Sequence, residues 1–223
     1  PRTARLHLHQ QPCPHSRIGG DLALEPKVPA AHRKTVGDQV SVIGLSGFGK
    51  DGPVARLFLA VWPPAAVLER LTALPRPDQP GVRWVPPENL HLTLRFLGDA
   101  DPDAVDAHLA GAHLPAAEVT LGPVVSRLGR NVVVVPAAGL DELAHAVREA
   151  TASIGRPPDP RPFAGHLTLA RLKHRAACGV AGTPFHATFS VTGVALVESL
   201  PTGHGVGYTT LGRYVVGRVP GTP

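Results

Sequence analysis

The sequence predicts an α+β fold of two lobes of similar build, and three observations carry that prediction. From Arg56 onward the chain reads as a series of short strand-like segments, and three stretches read as helices. Strands and helices do not alternate strictly enough for a doubly wound parallel sheet. One tetrapeptide, His-Leu-Thr-Leu, occurs twice, at 91–94 and 166–169, at matching places in two runs of elements.

The elements follow in order. "RLFLAVW" from Arg56 reads as a strand ended by Pro63-Pro64. "PAAVLERLTALP" reads as a short amphipathic helix with Val67, Leu68, Leu71 and Leu74 on one stripe. "VRWVPPENLHLTLRFLG" gives a short extended segment, a proline turn and the first His strand. "DPDAVDAHLAGAHL" is a second helix, with Asp101 as N-cap and Pro102 at the first helical position. "AEVTLGPVVSRLGRNVVVVPA" reads as two strands around a turn at Gly129-Arg130-Asn131. "LDELAHAVREATASIG" is a third helix, and a proline-rich loop, "RPPDPRPFAG", leads to the second His strand. "FHATFSVTGVALVES" and "YTTLGRYVVGRV" close the chain, each read as one strand.

Residues 1–53 differ from the rest. They show no sustained period and no secretory signal pattern, and are expected to be a mostly disordered leader. Residues 54–219 are expected to form the bilobal domain and 220–223 a tail. Within the leader, Gly44–Lys50 spells G-x-x-x-x-G-K, but Asp51 and Gly52-Pro53 follow. A phosphate loop would need Ser or Thr and then a helix start, so a linker is the better reading.

Charge narrows the function classes. The chain of 223 residues has a sequence pI near 9.8. Residues 1–50 hold seven Lys/Arg and three Asp/Glu, a net +4, and residues 51–223 hold fifteen and fourteen, a net +1. The basicity belongs mostly to the leader, so an anion site in the domain must be local. No apolar run is long enough to span a membrane. The two cysteines, Cys13 and Cys178, form no disulfide or zinc pattern, so a reducing cytoplasm is the expected compartment. Nothing marks an obligate interface, and a monomer is expected.

The repeated tetrapeptide is where the chemistry lies. Side chains alternate along a strand, so His91 and Thr93 share one face and Leu92 and Leu94 the other. His166 and Thr168, backed by Leu167 and Leu169, do the same. With an approximate twofold between the lobes, two histidines and two threonines converge on one cleft. Imidazole titrates near neutrality, so one ring can be neutral while its partner is protonated. A neutral ring can take a proton from water while the protonated one gives a proton to a departing alkoxide, from opposite sides of a phosphorus centre. The threonine hydroxyls can donate to the phosphate oxygens as charge builds on them. A zinc site would need three or more closely spaced ligands, and no Asp, Glu or Cys repeats with the motif, so no metal or other cofactor is expected. By strict alternation Arg95 shares the His91 face and could add positive potential there, or could be a solvated strand-end charge. Arg171 falls on the leucine face unless the strand twists or ends. The other histidines of the domain, His108, His113, His145, His174, His186 and His204, lack the pattern and are read as structural or solvated.

These two motifs resemble the paired His-x-Thr signatures of the 2H phosphoesterases. Together with "RLFLAVWPP", "VRWVPPENLHLTLRFLGD", "RPFAGHLTLARLK" and "VESLPTGHGVGYTTLGRYVVG", they resemble the bacterial RNA 2′,3′-cyclic phosphodiesterase branch, also called 2′-5′ RNA ligase or LigT-like. The resemblance covers about residues 55–217. It implies a bilobal LigT-like fold whose antiparallel sheets line a central cleft. It also implies hydrolysis of a 2′,3′-cyclic phosphate, on an RNA end or a small cyclic nucleotide, to a 2′-phosphate, with reverse 2′-5′ joining as a side capability. It assigns His166 as base and His91 as acid, although a symmetric pair can serve either way. Thr93 and Thr168 would hold the phosphate, Arg171 would contact phosphate or nucleotide, and Tyr208 would line the cleft. Two departures are visible. If Leu59 rather than Phe58 faces the cleft, base stacking weakens, and Gly165 is expected to loosen the approach to His166. A 2H enzyme acting on 2′-5′ oligoadenylate or an ADP-ribose cyclic phosphate, and an RNA-end-binding module without turnover, stay open as alternatives.

Overall fold

The computed structural model describes residues 56–173, 176–203 and 205–217. The leader with its G-x-x-x-x-G-K stretch, Cys13, His174, His204 and the tail lie outside the described residues.

The described residues form ten strands and three α-helices. Strand β1 (Arg56–Val61) is followed by helix α1 (Ala65–Thr72), β2 (Val82–Trp84), a 3-10 turn at Pro87–Asn89, and β3 (Leu92–Gly98). Then come α2 (Pro102–Ala110), β4 (Glu118–Leu121), β5 (Ser126–Leu128), β6 (Val132–Ala138) and α3 (Asp141–Ala150). The last elements are β7 (His166–Leu172), β8 (Ala187–Ser190), β9 (Gly193–Thr202) and β10 (Gly205–Val215). Helix α2 begins as its sequence specifies: the Asp101 side chain accepts from the Asp103 N–H and Pro102 occupies the first turn. Two segments hold more strands than their patterns announce. Gly122-Pro123 interrupts what reads as one strand, separating β4 from β5, and Val191-Thr192 separates β8 from β9.

Among the described residues every strand pair is antiparallel, and the main path runs β10-β9-β1-β3-β7-β6-β4-β8, with β2 added to β7 and β5 to β6. Half of the path is built on β1 and β3 and half on β6 and β7, which is the expected two-lobed plan. The halves join where β3 meets β7, at the pair Leu92↔Leu167. The leucines of both motifs are buried in one continuous core, together with Leu71 of α1, Val105 of α2 and Leu143 of α3, rather than in a separate core for each lobe. The elements also cross over: α1 reaches the other half, where Arg70 donates to the His186 carbonyl and lies over the Phe185 ring.

Both motif strands contain an extra residue at the same place, and β3 has a second irregularity farther on, at Leu97. Along β1 and β3, Leu59 pairs with Arg95 and Ala60 with Thr93, which leaves Leu94 bulged. Along β6 and β7, Val133 pairs with Ala170 and Val134 with Thr168, which leaves Leu169 bulged. A bulge of one residue reverses which face every later side chain takes. Beyond the bulges Leu97 and Leu172 return to the core, while Phe96 and Arg171 emerge on the side of the histidines.

Candidate active site

The two His-Leu-Thr-Leu copies meet head to tail. From the pair Leu92↔Leu167, one antiparallel step in each direction sets His91 toward Thr168 and His166 toward Thr93. The leucines are fully buried, whereas both histidines and both threonines keep partial exposure on the opposite face. The four predicted residues therefore lie together.

Both rings are held in the same way. His91 Nδ1 lies 2.7 Å from the Asn89 carbonyl oxygen, and His166 Nδ1 lies 2.7 Å from that of Ala164. A carbonyl only accepts, so Nδ1–H donates in each case and Nε2 is left outside that bond. A neutral ring then presents a lone pair, and a protonated one an N–H. Burial lowers the His91 pKa below the usual imidazole value, and the positive charges of Arg171 and His166 lower it further. The hydrogen bond to Asn89 works in the opposite direction. His166 and Arg171 are thus close enough to act on His91.

Aromatic rings surround His91: Phe58 at 5.0 Å between ring centroids, Tyr208 at 5.2 Å and edge-on, and Trp62 at 5.5 Å. Phe58 and Ala60 of β1 pack with Ala195 and Val197 of β9 on this side, while Leu59 lies in the main core. The position of the first strand that faces His91 is therefore Phe58, not Leu59. At 3 % exposure, however, Phe58 forms the floor beneath His91 and Tyr208 rather than an open platform. The exposed aromatic is Phe96 at 66 %, directly across from Phe58 with centroids 6.0 Å apart. Sequence reasoning missed Phe96 because the bulge inverts its strand. A signal was available in the leucine spacing, two then three, which is the same at 92, 94, 97 and at 167, 169, 172.

The same inversion corrects the expectation for Arg95. It is 5 % exposed and points away from the histidines, donating to the carbonyls of Arg148, Ile154 and Arg156 and to Thr151 Oγ1. The last turn of a helix leaves carbonyls without partners, and Arg95 satisfies them at the end of α3. Arg171 moves the other way, onto the histidine face, as a twist in its strand would require. Gly165 does not loosen the site either. A Cβ there would lie 2.5 Å from the Ala137 carbonyl oxygen and 3.3 Å from the Phe163 ring, so glycine allows the backbone before His166 to press against β6. Of the other histidines, His145 is paired with Glu149 at the surface, His108 bonds back to Ala104 within α2, and His186 is exposed. Among the described residues no three His, Cys, Asp or Glu side chains are grouped to hold a metal ion, and no helix is long and apolar enough to cross a membrane.

The LigT-like phosphoesterase family model matches residues 61–126, which include the first motif. The RNA 2′,3′-cyclic phosphodiesterase of Escherichia coli strain K12 is 33% identical over 171 residues, covering 72% of this chain and 96% of that protein. The protein of the same name from Thermus thermophilus is 31% identical over 180 residues, covering 71% and 89%. The crystal structure of E. coli LigT complexed with 3′-AMP superposes with a TM-score of 0.60 at 32% identity, covering 73% of this chain and 98% of that one. With a matching fold and relatives covered over nearly their whole length, the chain belongs to the LigT-like phosphoesterase family.

Proposed function

We propose that the chain hydrolyses the 2′,3′-cyclic phosphate of an RNA end or nucleotide to a 2′-phosphate, with His91 and His166 as an acid–base pair. The observation that carries this is the antiparallel meeting of the two motifs, each ring tied through Nδ1 to its own backbone, which leaves both Nε2 atoms for the substrate. Relatives named for this activity support the choice of substrate.

Water attacks phosphorus as His166 Nε2 takes its proton, and the bond from phosphorus to O3′ breaks as His91 Nε2–H protonates that oxygen. Thr93 and Thr168 donate to the non-bridging oxygens as charge builds on them, and Arg171 contacts the substrate farther along the strand. Tyr208 bounds the His91 side. With a 5′-hydroxyl of another strand attacking in place of water, His166 takes its proton and His91 protonates the departing O3′, which joins the ends through a 2′-5′ linkage. The histidines and threonines suffice for this chemistry without a metal, and the protein works as a cytoplasmic monomer.

The test is turnover of adenosine 2′,3′-cyclic phosphate in EDTA, with the product identified as 2′- or 3′-phosphate. Wild-type protein should give the 2′-phosphate, and His91→Ala and His166→Ala should each lose about 10²- to 10⁴-fold. A substrate whose 3′-leaving atom is sulfur, which needs no protonation, should rescue His91→Ala but not His166→Ala. Full activity of either alanine variant ends the proposal, and rescue of the other variant reverses the two roles.

A further inference from the structure

Arg171 does not stand alone on its face. In the β2–β7 ladder Arg83 pairs directly with Arg171, while the flanking pairs Val82↔Leu172 and Trp84↔Ala170 turn toward the core. Directly opposed residues project from the same side of a sheet, so both guanidinium groups share the side of His166 and Thr168. Both are exposed. Neither has an ion-pair or hydrogen-bond partner among the described residues. Like charges directly opposed across two strands are unfavourable, and a bound anion would remove the penalty.

The position of Arg83 links it to the His91 side as well. A Cβ added to Gly205 would lie 3.4 Å from an Arg83 terminal nitrogen, so the start of β10 runs against the guanidinium. One residue on, the Val206 carbonyl accepts from Asn89 Nδ2, and the Asn89 carbonyl is the one that holds His91. Tyr208 follows on the same strand. Arg83 therefore sits at the edge of the site, between β2 and β10.

Spacing argues that the pair serves a different phosphate from the reacting one. The threonine hydroxyls lie beside the histidines. Arg171 is three residues beyond Thr168, about 10 Å along a regular strand and somewhat less across a bulge, and Arg83 is a further ~4.8 Å away across the ladder. That distance suits the next phosphate along a chain. We propose that Arg83, with Arg171, forms a subsite for the phosphate on the 5′ side of the terminal nucleotide, so that the enzyme selects oligonucleotide ends over cyclic mononucleotides. This rests on the phosphodiesterase function proposed above.

The test uses three substrates that end in the same nucleoside 2′,3′-cyclic phosphate: the mononucleotide, a dinucleotide with an ordinary phosphodiester linkage, and the same dinucleotide with a neutral methylphosphonate linkage. On wild-type protein at low salt, kcat/KM for the charged dinucleotide should exceed that for the neutral one by about tenfold or more. Arg83→Gln should abolish that preference while leaving the mononucleotide and the neutral dinucleotide within about twofold. Arg83→Lys should restore part of it, since it keeps the charge but not the fork. Equal wild-type turnover of the two dinucleotides, or an equal loss on all three substrates in Arg83→Gln, overturns the subsite. If wild-type protein turns over none of the three, the phosphodiesterase function falls and the subsite with it.

Discussion

Replacing Arg95 with methionine separates a structural arginine from a catalytic one. The guanidinium is almost wholly buried and makes four hydrogen bonds, three to carbonyls at and after the end of α3 and one to the Thr151 hydroxyl. A hydrogen bond from a charged donor contributes about 1.5–3 kcal/mol, so the gross interaction is large, but burying the cation offsets much of it. Methionine matches the length of the aliphatic stem and avoids a cavity, yet strands several acceptors. Each buried acceptor left without a donor costs about 1–3 kcal/mol, and removing the buried cation returns part of the total, so the net loss should be about 3–5 kcal/mol. With a urea m-value of ~2 kcal/mol/M, the unfolding midpoint should fall by about 1.5–2.5 M. Circular dichroism through a urea titration measures this directly. Turnover by the folded variant, measured well below its midpoint, should stay within about threefold of wild type, because the side chain points away from both imidazoles. A midpoint shift equivalent to less than about 1 kcal/mol, or a hundredfold loss of turnover by folded protein, would refute the placement of Arg95 beneath α3.

Other predictions test the histidine face. Because burial, Arg171 and His166 favour neutral His91, it loses its proton at lower pH than free imidazole. If His91 is the acid, kcat/KM should decline as pH rises through that lowered value, placing the alkaline limb below about 6.5. The corresponding limb of kcat should lie higher, since bound phosphate favours the imidazolium. Arg171→Gln should move the kcat/KM limb upward, and a limb that stays where it was counts against the coupling. Gly165→Ala should destabilise the protein by about 1–3 kcal/mol in thermal or urea melts, because its Cβ meets the Ala137 carbonyl; an unchanged melt would show the backbone there to be slack. Phe96→Ala should leave stability within about 0.5 kcal/mol, but raise KM for a dinucleotide end about fivefold or more if a base stacks on this ring. An unchanged KM would place the bases elsewhere.

The sequence made the centre of the site legible because the motif is short, local and duplicated. His91, Thr93, His166 and Thr168 needed only the period of a strand to be put on a shared face, and that face is where they lie. The same period fails two residues later. Bulges at Leu94 and Leu169 insert a half-step that alternation cannot express, and so alternation assigns Arg95 to the wrong side. The hydrophobic code did hold the correction, since leucines at 94 and 97 cannot share a face in an unbroken strand. Two features were not legible at all. The pairing of β2 with β7 joins Arg83 to Arg171 across half the domain's sequence, and nothing in either segment alone specifies it. The close approach at Gly165 depends on where β6 runs, so a glycine that reads as slack in the sequence is a point of contact in the fold.

The bond from each imidazole to a main-chain oxygen two positions earlier has a consequence for how such a couple can arise. Many acid–base histidines depend on a carboxylate from a remote part of the chain to fix their tautomer. Here the tautomer is set inside the segment that bears the ring. Copying such a segment would copy its ring geometry, so a duplication would yield two imidazoles of matched tautomer without recruiting any third side chain.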